Sequence, residues 1–233
     1  MNVWRGHSCP REAGTAKIAV AKLPCSTEFL KMPPPENPFF KIEASGPKTI
    51  LRLTSSDGTN RLTRACVLAL TEEIRALARD ARPLVIAGNR HFFSVGADLN
   101  EIAALTGPAA YEFSAMGQTL MNAIAAFPAP VIAAVEGHCM GGGFDLALAC
   151  HGRIAAPHAV FGHRGAALGL ITGWGGTQRL PRLIGKGRAL ELFVAAEKVS
   201  AQRALAIGLV SAVAGDPVAE AVHHLSIKPT LLY

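Results

Sequence analysis

Short apolar runs alternate with longer helical stripes along the chain. The runs predict strands at 50–53, 84–87, 91–93, 131–135, 154–156 and 159–161. Apolar spacing of three to four residues predicts one helix with a stripe from Leu62 to Leu77, capped by the turn at 57–60, and another from Gly107 to Phe127. The stretches 188–196 and 201–207 also have a helical pattern. Strands that alternate with helices indicate the α/β class.

Prolines separate the N-terminal part from the predicted domain. Pro33, Pro34 and Pro35, followed by Asn37 and Pro38, sustain neither helix nor strand. We therefore expect residues 1–40 to be a disordered extension with a Pro-rich linker, and residues 41–214 to form one catalytic domain. Residues 215–233 are expected to be a short tail with little helical pattern beyond residue 224, because Pro229 works against a helix there.

Composition narrows the class of function. The net charge of +6 comes from scattered Lys and Arg without a block of like charge, so a polyanionic small molecule suits this chain better than nucleic acid. The five cysteines show no CxxC or Cys/His spacing, which argues against a metal site and favours reduced thiols in the cytoplasm. No apolar run is long enough to span a bilayer, so no membrane partner is expected.

A glycine-rich loop is the first candidate for chemistry. It joins the apolar run 131–135 to a short helix that ends near Cys150, and it contains Gly141, Gly142 and Gly143. Glycines allow a ligand to approach the main chain, and the start of a helix favours negative charge. An enolate formed from a thioester needs such pre-placed donors. Tight packing of helix on strand would require the same glycines, so both interpretations stay open.

Two further segments carry a resemblance. They are FSVGADL at 93–99 and the stretch from Val160 to Pro181, which includes FGHRGAALGL and ITGWGGTQRLP. Together with the glycine-rich loop, and in the same order and spacing, they resemble the signature regions of the enoyl-CoA hydratase/isomerase (crotonase) family. The resemblance implies a spiral of ββα units and an acyl-CoA substrate, with coenzyme A present only as part of that substrate. It also implies a homo-oligomer, a trimer or hexamer, although the C-terminal helical segment of the family is largely missing here.

The resemblance also implies residue roles. Backbone amides of Ala97 and Gly142 correspond to the oxyanion hole, and Asp145 to the first of two catalytic glutamates. The residues expected to bind substrate around them are Gly96, Asp98, Leu99, Gly141, His163 and Arg90. Asp98 is expected to cap a helix rather than to catalyse, because it precedes one. Arg90 is either a phosphate contact or a solvated surface residue.

The chain departs from the family at both acid positions. Asp145 has a side chain one methylene shorter than Glu, and the second glutamate corresponds to Gly165, which carries no proton. His163 lies close by and is a candidate substitute. Hydration of a 2-enoyl-CoA, a lyase reaction, is the expected activity. The alternatives are a decarboxylase or another lyase of the same family, and a catalytically weak acyl-CoA-binding protein.

Overall fold

The fold confirms the α/β class. The computed structural model describes residues 37–227. Its strands are β1 (Phe40–Ser45), β2 (Lys48–Leu53), β3 (Arg61–Leu62), β4 (Leu84–Ala87), β5 (Phe92–Ser94), β6 (Gly96–Ala97), β7 (Val131–Val135), β8 (His138–Met140), β9 (Gly152–Ala155), β10 (Val160–Gly162), β11 (Val199–Ser200) and β12 (Ala212–Val213). Its helices are α1 (Arg64–Leu77), α2 (Leu99–Ala103), α3 (Gly107–Ala125), α4 (Gly142–Ala149), α5 (Gly176–Ile184), α6 (Lys186–Ala195), α7 (Ala201–Ala206) and α8 (Pro217–Ile227), with a 3-10 helix at Gly165–Leu168.

Successive strand pairs feed two different sheets. The strand order of the larger sheet is β1-β2-β4-β7-β9-β12, and that of the smaller sheet is β11-β10-β8-β5. Each of the pairs β4-β5, β7-β8 and β9-β10 therefore places its first strand in the larger sheet and its second strand in the smaller one. Helices α3, α4 and α5 follow these pairs in turn. This repeat is the predicted spiral of ββα units.

The larger sheet is covered on both faces, as its continuous apolar strands predict. All residues of β4 and β7 are buried. Leu84 and Ile86 belong to the main core, whereas Val85 and Ala87 on the opposite face belong to a second apolar cluster. Within residues 37–227, none of the helices combines the length and the apolarity that a bilayer span requires.

The C-terminal segment corrects one expectation. Residues 217–227 form α8, so the prediction of little helical pattern after residue 224 is wrong as far as Ile227. Ala221 and Leu225 lie on one side of this helix and are buried in the second cluster, against Val85 and Ile132 of the sheet. Tertiary packing of two apolar positions stabilises this helix more than its local sequence does. Residues 228–233 lie outside the described part, as do residues 1–36 of the predicted extension.

The N-terminus of α1 corrects a second expectation. The N-cap is Thr63, whose hydroxyl accepts a hydrogen bond from the Cys66 amide at 3.2 Å, and Leu62 lies in β3. The turn at 57–60 serves another purpose. Asn60, with a φ of 53°, donates from its side-chain amide to the carbonyls of Phe92 and Phe93. This turn therefore fixes the end of β5 instead of starting the helix.

A buried cation fixes the far end of α4. Arg153 is 7% exposed and donates to the carbonyls of Leu209, Ala147 and Cys150 at 2.8, 3.3 and 2.8 Å. The last carbonyls of a helix lack intrahelical partners and carry partial negative charge, so a cation there stabilises the helix end. Burial lowers the pKa of the Arg153 guanidinium. These hydrogen bonds fix the C-terminal end of α4. The N-terminal end of α4 begins in the glycine-rich loop.

Candidate active site

The turn between β5 and β6 is held by a buried serine. The Ser94 hydroxyl donates to the carbonyl of Asn60 at 2.7 Å and accepts from the amide of Gly96 at 3.0 Å. Gly96 has a φ of 91°, a left-handed backbone conformation that L side chains rarely adopt. These contacts set the direction in which the chain leaves the turn, and thereby place Ala97.

The opposite side of the site is the start of α4. Gly141 precedes the helix with a φ of 52°, and its amide donates to the carbonyl of Gly162 at 2.9 Å. Gly142 is the first helical residue. Helix geometry leaves a first-turn amide without an intrahelical acceptor, and the helix dipole adds partial positive charge there. The amide of Gly142 is therefore suited to a developing anion.

These two segments are in direct main-chain contact. A Cβ placed on Gly96 would lie 2.7 Å from the Gly142 nitrogen and 2.6 Å from the Met140 carbonyl oxygen. A Cβ placed on Gly142 would lie 3.3 Å from the Ala97 nitrogen. Gly143 packs as closely on Ser94, with distances of 2.6 to 2.7 Å from its hypothetical Cβ. The glycines thus serve tight packing, and this packing brings the amides of Ala97 and Gly142 together.

Asp145 lies one turn into α4 and is enclosed. Its side chain is 2% exposed, and the Thr172 hydroxyl donates to its Oδ2 atom. Its Oδ1 atom lies 3.2 Å from Nε2 of His163, a distance typical of an ion pair. Both atoms are buried, yet neither has a hydrogen-bond partner, so the pair is in contact without an aligned hydrogen bond. Gly176 covers the pair, because a Cβ there would lie 2.2 Å from Oδ1 and 2.8 Å from Nε2.

The surroundings of this pair are mostly apolar. His163 is 6% exposed and packs against the rings of Phe144 and Phe193, with centroid distances of 5.0 and 5.4 Å. Burial raises the pKa of the neighbouring Cys139 thiol well above its ordinary value, and the charge of Asp145 adds to the effect. Burial also lowers the pKa of the Arg179 guanidinium, and the negative charge of Asp145 partly offsets this decrease. A carboxylate and an imidazole therefore share a site with little access to water.

Three further predicted residues lie just before β5 or just after β6. The side chain of Asp98 caps α2 by accepting from the amides of Asn100 and Glu101, and it also binds Arg61 at 3.0 Å. The hydrogen bond from Arg61, aided by that from Asn100, lowers the pKa of the Asp98 carboxyl. Leu99 is 56% exposed. Arg90 is exposed in the connection between β4 and β5.

Gly165 belongs to the 3-10 helix and leaves no room for an acid. A Cβ placed there would lie 2.8 Å from the carbonyl oxygen of Leu170, closer than real Cβ atoms approach. A glutamate at this position would require the backbone to move. The local backbone conformation therefore excludes a glutamate side chain at position 165.

Sequence reasoning missed three residues of one segment. Thr172 binds the Asp145 carboxylate, Trp174 packs on Gly142, and Gly176 covers the Asp145–His163 pair. All three lie in the motif ITGWGGTQRLP, but the motif identified only a family region and not a contact. Their contacts join parts of the chain that are far apart in sequence, which no local pattern reveals.

Comparison with known proteins decides the family. The model of the family described as enoyl-CoA hydratase/isomerase matches residues 48–228, more than half of the chain. The chain belongs to the enoyl-CoA hydratase/isomerase family. Two curated proteins are similar to this chain over more than half of its length. It is 48% identical over 136 residues to a probable enoyl-CoA hydratase of Bacillus subtilis, covering 58% of this chain and 53% of that protein.

The second relative is a crotonyl-CoA hydratase of Syntrophomonas wolfei, which is 38% identical over 175 residues, covering 74% of this chain and 67% of that protein. The chain thus spans about half the length of the Bacillus subtilis relative. Solved enoyl-CoA hydratases of Bacillus anthracis and Thermoplasma volcanium share the fold. Their TM-scores are 0.72 and 0.78 at 35% and 31% identity, covering 82% and 84% of this chain and 73% and 79% of theirs. The crotonase-type architecture is confirmed.

The contact of Gly96 with Gly142 can be tested by adding one methyl group. Gly96→Ala should lower the free energy of unfolding by about 1–2 kcal/mol from the left-handed backbone and by about 1–3 kcal/mol more from the clash. Gly46→Ala is the matched control, because Gly46 also has a positive φ, of 60°, but has nothing within 4 Å of its hypothetical Cβ. Urea unfolding measures both. Equal losses in the two variants would contradict the close approach.

Proposed function

We propose that this chain hydrates a 2-enoyl-CoA thioester. The observation that carries the proposal is the convergence of two main-chain amides, from Ala97 and Gly142, beside a buried carboxylate on the helix that Gly142 begins. Family membership supports an acyl-CoA substrate, and the names of the two curated relatives support hydration. Amides fixed in this way stabilise negative charge on an oxygen without the reorganisation that water would need.

The reaction requires a base and a proton donor. As the oxygen of water attacks C3 of the substrate, Asp145 accepts a proton from that water, and the thioester carbonyl becomes an enolate oxygen held by the two amides. The enolate then collapses as C2 takes up that proton from Asp145, which gives a 3-hydroxyacyl-CoA. One hydrogen of the water stays in the new hydroxyl group on C3, and the other ends on C2. Thr172 holds Oδ2 of Asp145, which leaves Oδ1 as the atom that exchanges the proton.

His163 is the second group in this proposal that exchanges a proton. Gly165 carries no acid and has no room for one, whereas Nε2 of His163 is buried 3.2 Å from Oδ1 of Asp145. An imidazole can give and take a proton near neutral pH. A proton passed between these two atoms would reach the substrate through Asp145. His163 thereby replaces part of the function that a second carboxylate would supply.

The closed position at Gly165 favours a second candidate reaction. Decarboxylation of a malonyl-type thioester breaks the bond to the carboxylate, releases carbon dioxide and leaves an enolate, which one proton donor then quenches. The two amides would stabilise that enolate, and no second acid is needed. A protein that binds acyl-CoA with little turnover is the third possibility. Assembly into a trimer or hexamer and a cytoplasmic location stay predictions from the sequence.

Replacement of the carboxylate tests the hydration chemistry. Asp145→Asn should lower kcat for crotonyl-CoA by about a hundred- to ten-thousandfold, because the amide keeps the size of the side chain but takes no proton. The loss of enoyl-thioester absorbance measures the rate, and Asp80→Asn, at an exposed position, is the control that should keep full activity. An Asp145→Asn variant as fast as the parent would remove Asp145 from the mechanism. If the parent consumes only malonyl-CoA, hydration gives way to decarboxylation.

The role of His163 predicts a change in turnover and not in binding. His163→Gln removes the proton-exchanging group while keeping a polar side chain, so kcat should fall by about a hundredfold with little change in KM. His158→Gln, at an exposed histidine whose ring lies 3.1 Å from the carbonyl of Arg90, is the control. A lower affinity with unchanged kcat would show that His163 only shapes the site.

A further inference from the structure

Trp174 occupies the space between α3 and α4. The residue is 3% exposed. A Cβ placed on Gly142 of α4 would lie 2.5 and 2.6 Å from the Cζ3 and Cε3 atoms of its six-membered ring. A Cβ placed on Gly117 of α3 would lie 2.1 to 2.3 Å from Nε1, Cδ1 and Cε2 on the other edge. The indole therefore fits between the two helices only because both contact positions are glycine.

The indole is fixed in orientation. Its Nε1 atom donates to the carbonyl of Phe113 at 3.2 Å, and its ring packs on the Phe113 ring with a centroid distance of 5.3 Å and an interplanar angle of 37°. A buried tryptophan with a bonded ring nitrogen and a packed aromatic neighbour has one preferred position. Trp174 is thus a rigid wall and not a side chain that yields to a ligand.

This wall stands beside the two proposed oxyanion donors. The hypothetical Cβ of Gly142 that lies 2.5 Å from the indole also lies 3.3 Å from the Ala97 nitrogen. The same segment contributes Thr172, which binds Asp145, and Gly176, which covers the Asp145–His163 pair. The ring therefore borders the place at which a carbonyl oxygen would reach these amides.

We propose that Trp174 sets the acyl-chain length, so that the substrate is a short 2-enoyl-CoA of about crotonyl size. This inference rests on the proposed function, because it assumes that the thioester oxygen binds at Ala97 and Gly142. A pocket that gains or loses room for one methylene changes selectivity by about tenfold or more. Replacement of the indole by a small side chain therefore opens the site to longer chains.

The test compares two chain lengths. For the parent, crotonyl-CoA should exceed 2-octenoyl-CoA in kcat/KM by at least about tenfold, and butyryl-CoA should bind more tightly than octanoyl-CoA by calorimetry. Trp174→Ala should shift both ratios toward the longer chain by at least about tenfold, and Trp174→Phe should give an intermediate shift. A parent that prefers octanoyl-CoA, or ratios unchanged in Trp174→Ala, would overturn the inference.

Two controls separate specificity from folding and from the reaction. Phe127→Ala also removes a buried aromatic ring, 5% exposed, beyond the end of α3, and should lower stability without changing either ratio. If circular dichroism shows that Trp174→Ala is unfolded, the activity and binding ratios of Trp174→Phe test the inference instead. Because butyryl-CoA and octanoyl-CoA have no double bond to hydrate, the binding ratios test the inference even if the parent hydrates nothing, which would refute only the proposed function.

Discussion

The site depends on the contact of two main-chain segments with no Cβ between them. The turn at Gly96 lies against the first amide of α4, and a single methyl group there would lie 2.7 Å from the Gly142 nitrogen. The ββα spiral makes this contact possible, because β5 and β8 are neighbours in the smaller sheet and end on the same side. Ser94 and Asn60 fix the turn from one side, and Arg153 anchors the opposite end of α4. Packing and the proposed chemistry thus use the same glycines.

Around this backbone frame the side chains differ from the two-glutamate arrangement that the family resemblance implies. One carboxylate, Asp145, lies in contact with Thr172 and His163, and Gly165 closes the position of the second. In the proposed function, the two amides therefore keep the enolate-stabilising role, and the proton-transfer residues differ from the two glutamates. Such a division fits a fold in which the main chain stabilises charge and a few side chains select the reaction. In our proposal, Trp174 also limits the size of the substrate.

The sequence predicted those parts that local physics controls. The helical spacing up to Phe127 gave α3, and the continuous apolar runs gave β4 and β7, because period and burial on both faces are visible in the residues themselves. The N-cap of α1 was misplaced because Asn60 bonds carbonyls more than 30 residues away. The end of α8 was missed because Leu225 is stabilised by the sheet beneath it.

The candidate site divides in the same way. The roles expected of Ala97, Gly142 and Asp145 came from the family resemblance, and the structure places the main chains of Ala97 and Gly142 close together. The contacts of Trp174 with Gly117 and of Thr172 with Asp145 join distant segments, and each contact needed the three-dimensional fold. A motif therefore indicates where a site lies. The residues that carry protons in the site, and the size of the site, can be identified only from the packing of side chains from several elements.

The central claim is that the amides of Ala97 and Gly142 together receive the thioester oxygen. Infrared difference spectroscopy of butyryl-CoA with an isotope-labelled thioester carbonyl tests it most directly, because hydrogen bonds from two fixed amides weaken the C=O bond of a ligand that cannot be hydrated. The account predicts a single, narrow carbonyl band at lower frequency than for the free ester in water. A bound ester whose band keeps its frequency in water would contradict it.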